Sequence, residues 1–133
     1  MQIYRSETVK SVNKFVYDFT EISEARGFLI HNEDNMEMAY TFGRHGVEVA
    51  EGFDLHMIQV CKPEKAAMSL NKNPERAVLM PKFIMAFSHN GRTQIRFLHY
   101  SQETIRAMID DTEFPASLCE SFAQIISLIE EAR

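Results

Sequence analysis

The sequence predicts an α+β domain in which an antiparallel-rich sheet carries helices on one face. Three observations lead there. Apolar residues at helical spacing mark two amphipathic helices, Val12 to Ile22 near the start and Leu118 to Ile129 near the end. Between them, His89-Asn90-Gly91 separates two β-rich runs, Lys82 to Ser88 and Arg92 to Tyr100, as a hairpin signal. Leu55 to Cys61 is a further strand that runs directly into Lys62-Pro63 and a helix. A chain of 133 residues with 45% hydrophobic content fits a single α+β domain over residues 1–133.

Taken in order, Gln2 to Arg5 reads as a first strand. Thr8 or Ser11 caps the helix that follows, whose buried stripe is Val12, Phe15, Val16, Phe19 and Ile22. Gly27 sits at the expected C-cap, and Phe28 to His31 reads as a strand. From Asn32 to Gly52 the pattern is weaker. Met36, Ala39 and Tyr40 indicate a short helix ended by Gly43 or Gly46, and the length and acidity of the 33–54 segment make it the expected mobile part.

Pro63 suits the first position of a helix because its φ is preset, and Asn73-Pro74 stops that helix. In the hairpin, turn length decides which side chains share a face, since a slip of one residue exchanges the faces. A two-residue Asn90-Gly91 turn sets Phe83, Met85 and Phe87 beside Arg92, Gln94, Arg96 and Leu98. A three-residue turn sets them beside Thr93, Ile95, Phe97 and His99, which sorts apolar from polar more cleanly, and is the register expected. Ile84, Arg92, Gln94, Arg96, Leu98 and Tyr100 then form the opposite, mixed face, the expected homodimer contact.

Ser101 caps a short helix with Ile105, Met108 and Ile109 on its apolar side, and Pro115 opens the last helix. Burial of Leu118, Phe122, Ile125, Ile126 and Ile129 contributes on the order of 10 kcal/mol of gross apolar transfer, at about 2 kcal/mol each.

Composition narrows the function classes. The formal charge is −5, from 14 Lys and Arg against 19 Asp and Glu, and the basic residues are scattered. Phosphate neutralisation needs a clustered basic face, so neither nucleic acid nor an anionic membrane surface is an expected partner. The N-terminus lacks the apolar core of a secretory signal, and a cytoplasmic location is expected. Two cysteines, Cys61 and Cys119, are too few for a disulfide framework.

The candidate site is the junction around Cys61. A strand ending on a thiol two residues before a helix-opening proline brings backbone N–H groups and lysines together. Cys61, Lys62, Lys65 and Lys82 form the expected binding site for a small anionic ligand. Cys61 is the only catalytic candidate, as a thiolate aided by Lys62 or Lys65, against the plainer reading of a small hydrophobe closing a strand. No histidine stands at a spacing that identifies a catalytic partner. His56 and Cys61 lie an odd number of residues apart and so fall on opposite faces of a strand. With no Cys-x-x-Cys or His-x-x-x-His, neither a metal nor another cofactor is expected. Glu48, Glu51 and Asp54 read as solvated loop acids.

In order and spacing, Gly27-Phe28, Cys61-Lys62-Pro63, Ala66, Asn73-Pro74 and Leu79-Met80-Pro81 resemble domain-of-unknown-function family 302. That family shows Gly-Phe after its first helix, a strand into Cys-Asn-Pro, and later Leu-Leu-Pro-Cys. The resemblance implies a TATA-binding-protein-like α+β topology, commonly dimeric, and no assigned activity. Lys62 replaces the motif's asparagine, and Lys82 stands where a second cysteine is usual, so dithiol chemistry lacks its second thiol here.

Overall fold

The computed structural model describes residues 1–133. Five strands, β1 (Gln2–Thr8), β2 (Leu29–Ile30), β3 (Leu55–Cys61), β4 (Phe83–His89) and β5 (Arg92–His99), form one antiparallel sheet in the order β1-β5-β4-β3-β2. The helices are α1 (Val12–Ala25), α2 (Met38–Arg44), α3 (Pro63–Lys72), α4 (Gln102–Met108) and α5 (Phe114–Ala132), with 3₁₀ turns at Glu33–Asn35 and Pro74–Leu79. Because β1 and β2 lie at opposite edges, α1 carries the chain across the whole sheet. No helix is long and apolar enough to cross a membrane.

Ser11, rather than Thr8, caps α1: its hydroxyl accepts from the Lys14 N–H at 3.1 Å. Thr8 instead ends β1, which runs three residues beyond the expected limit. At the other end the Phe28 N–H reaches the Ser23 carbonyl and the Gly27 N–H reaches Glu24. This paired closure needs a left-handed residue between, and Gly27 supplies it at φ 82°. Phe28 is thereby turned into the core.

The buried side of the sheet carries Ile58, Val60, Ile84, Ala86, Ile95 and Phe97. On it pack Phe15 and Phe19 of α1 and Leu118, Phe122, Ile125 and Ile129 of α5, within one cluster of 21 buried apolar residues. Ile22 and Ile126 pack at its margin. Ile105 and Ile109 are buried as expected, but Met108 is half-exposed, because α4 ends there and turns its last side chain outward.

The hairpin differs from the expected register. Phe87 pairs with Gln94 and His89 with Arg92, leaving a two-residue Asn90-Gly91 turn. Both turn residues have positive φ, 54° and 74°, the primed geometry that follows the sheet's twist. The covered face is therefore built from Ile84, Ala86, Thr93, Ile95 and Phe97. Phe83, Met85 and Phe87 point to the other side with Gln94, Arg96 and Leu98. Ile84 is 0% exposed and is no part of an outer surface. Sorting by polarity misled because both faces are apolar: Arg96 lies over the Phe87 ring at 5.5 Å and shields it.

Residues 32–37 run along the outer edge of β3. Where β2 ends, the Asn32 amide takes over as a partner, accepting from the Gln59 N–H and donating to the Met57 carbonyl at 2.8 and 2.7 Å. The Met57 N–H then reaches the Met36 carbonyl. Glu37 caps α2 through the Tyr40 N–H, and the helix ends before Gly46.

Candidate functional site

β3 ends on Cys61, and Pro63 starts α3 with Lys62 at the N-cap position, its side chain making no capping bond. Lys62 is thus free to lie over the Phe28 ring, 5.2 Å from its centre. One turn into α3, the Lys65 Nζ donates to Ser121 Oγ of α5 at 2.7 Å. From the start of β4, the Lys82 Nζ donates to the Met80 carbonyl at 3.2 Å. The three lysines and Cys61 share one small pocket, a cavity of ≈ 60 Å³.

The walls of this pocket come from three distant segments. Phe28 and Val60 belong to the sheet side, Met80 follows the 3₁₀ turn, and Phe114, Leu118 and Ile125 belong to α5. Five of these six are core residues, so the pocket reaches the buried cluster. Ser69, Ser117 and Ser121 add hydroxyls, and no Asp, Glu or His lines it. Burial lowers the Lys82 pKa from its ordinary value, a Cys61 thiolate opposes that shift, and the Lys65 charge adds to it.

The charge distribution is uneven in a telling way. Of the six lysines in the chain, Lys10 and Lys14 pair with Asp18, and Lys72 pairs with Glu113. Lys62, Lys65 and Lys82 alone have no carboxylate within ion-pair distance, and these are the three at the pocket. Uncompensated like charges around an apolar hollow cost stability unless an anion offsets them.

Beneath α3 the geometry is held by Arg76 in the Pro74–Leu79 turn. Its guanidinium pairs with Asp111, donates to Ser69 Oγ at 3.0 Å, and stacks over Phe114. Asp111 also accepts from the Asn73 amide and from the Glu113 and Phe114 N–H groups at the start of α5. Sequence reasoning missed this clamp. Asn73-Pro74 was legible as a helix stop, with nothing in the spacing to join it to Asp111.

The remaining expected residues fall elsewhere. Arg92, Gln94, Arg96 and Leu98 lie on the open side of the sheet, and Tyr100 packs at its end against Phe122. Arg92 and Gln94 reach Glu7, and Arg96 donates to the Ser6 carbonyl, so these polar groups are already tied down. Cys119 is half-buried, and its thiol, whose pKa is raised by burial, donates to the Tyr100 carbonyl. His56 is buried on the covered face, away from Cys61, with neither ring nitrogen hydrogen-bonded, although Asp54 stands 3.4 Å from Nε2. Among His, Cys, Asp and Glu, no group of three is arranged to hold a metal.

Comparison with known proteins gives a consistent result. The model of the family "Domain of unknown function DUF302" matches residues 4–132. A crystal structure of an uncharacterised conserved DUF302 protein from Bacillus stearothermophilus superposes with a TM-score of 0.82 at 17% identity, covering 100% of this chain and 99% of that one. At that identity the likeness concerns the fold. No curated protein matches the sequence.

Proposed function

The chain belongs to the DUF302 family, and from that premise we propose that it is a non-catalytic module that binds or senses a small anionic ligand in the pocket of Cys61, Lys62, Lys65 and Lys82. The observation that carries this reading is the split among the lysines. Those away from the pocket are neutralised by carboxylates, while the three around it are not. An anion entering there gains three cations in a partly desolvated setting, where charge pairing is stronger than in water. The α3 N-terminus adds its positive end on the same side.

The module acts in the cytoplasm as a homodimer. The open side of the sheet supports the dimer, with half-buried Phe83, Met85 and Phe87 and exposed Leu98 beside the tied-down arginines. Thermal-shift and calorimetric titration with inorganic phosphate and small carboxylates test the ligand reading. Saturable stabilisation is expected, and is lost in a Lys62→Gln, Lys65→Gln, Lys82→Gln variant. Unchanged shifts in that variant would move the site elsewhere.

The rival reading is a thiol-dependent enzyme or redox protein using Cys61. It is supported by the neighbouring lysines and weakened by a pocket lining without histidine or carboxylate to act as base. Alkylation rates of Cys61 across a pH series decide it, with fast labelling well below the free-thiol range favouring the enzyme.

A further inference from the structure

Within the anion-binding reading, on which this step rests, we propose that the ligand is amphipathic: a small carboxylate with a short apolar body. The pocket has two chemically distinct zones. Its interior is formed by Phe28, Val60, Phe114, Leu118 and Ile125, each a residue of the hydrophobic core. Lys62, Lys65 and Lys82 are half-buried and carry the charge of the lining.

A bare inorganic anion uses only the charged part of the lining and leaves the apolar hollow unfilled. A carboxylate head between Lys65 and Lys82 places an attached acyl chain or ring against those walls, where each methylene leaves water. Both lysines already spend one donor, on Ser121 and on the Met80 carbonyl, and each ammonium has donors left for the head. The two existing bonds hold the ammonium groups in place, so less side-chain freedom is lost on binding. Ala66 of α3 also lines the pocket, so a larger side chain there narrows the apolar zone and leaves every lysine in place.

Calorimetric titration of the full chain with acetate, butyrate, hexanoate and inorganic phosphate tests this. Affinity is expected to rise about fourfold per methylene from acetate to hexanoate. Ala66→Leu, its folding checked by an unaltered melt, brings hexanoate down to the level of acetate. Lys65→Gln with Lys82→Gln abolishes binding of all four. Equal binding of acetate, phosphate and hexanoate would overturn the amphipathic assignment and leave the anion site standing. Undiminished hexanoate binding by the double glutamine variant, or no binding of any probe by the native chain, would overturn both.

Discussion

Arg76 and Asp111 form a bidentate ion pair, Nε to Oδ2 at 2.6 Å and Nη2 to Oδ1 at 2.9 Å, with both side chains under 10% exposed (7% and 6%). The pair joins the turn after α3 to the start of α5, the two elements on either side of the pocket.

Removing one partner leaves the other charge without its counterion. Arg76→Ala is expected to cost about 3 kcal/mol in urea unfolding at neutral pH. The arginine beside it, helped by three other donors, holds the Asp111 carboxyl well below the usual carboxylate range. A depressed folded-state pKa gives stability that is complete above the unfolded value, 3.8, and disappears as pH falls to the folded one. The deficit of Asp111→Asn should therefore be constant from neutral pH to about pH 5 and shrink in stronger acid.

Lys82 carries the opposite sign. Burial lowers its pKa, so the protonated form costs folding energy at neutral pH, and the cost is relieved as pH rises from the folded value towards the unfolded 10.5. Lys82→Met is expected to raise ligand-free stability by about 1 kcal/mol while weakening anion binding. Melting with and without phosphate measures both effects, and loss of stability in this variant would contradict the desolvation argument.

Cys61 lines the same hollow as the lysines, so a bound ligand should shield it. In a Cys119→Ser background, iodoacetamide labelling of Cys61 is expected to slow several-fold at saturating hexanoate. Labelling that ignores the ligand would put the thiol outside the occupied volume.

Gly91 has φ 74° in a turn with no neighbouring atom near its missing side chain, so the penalty for substitution is conformational. Gly91→Ala should cost about 1 kcal/mol, whereas Asn90→Gly should be nearly neutral. Urea midpoints of the two variants measure the difference.

The open sheet face gives a solution test. If it is the dimer contact, Leu98→Glu with Arg96→Glu converts a dimer to a monomer in sedimentation, with the circular dichroism spectrum unchanged. A native chain that sediments as a monomer would remove the dimer from the proposal.

Much of this architecture was legible. The stripes of α1 and α5 are helical in period and long, and Cys61-Lys62-Pro63 fixes a strand-to-helix junction by local chemistry alone. The lysine rim followed from that junction. The pocket walls did not, because periodicity marks Leu118 and Ile125 as buried without saying that they meet Phe28 and Val60. The hairpin faces were misread for a related reason. In β4 the smaller Ile84 and Ala86 fill the space under the helices, and the larger Phe83, Met85 and Phe87 are left to the open side.

The Asn32 amide bears on assembly. With β2 only two residues long, the Asn32 side chain and the Met36 carbonyl occupy β3 backbone groups that another chain would need for pairing. β1, by contrast, has β5 as its only strand neighbour. Strand addition at the β3 margin is therefore blocked by the chain's own groups, and pairing with any further strand falls to β1.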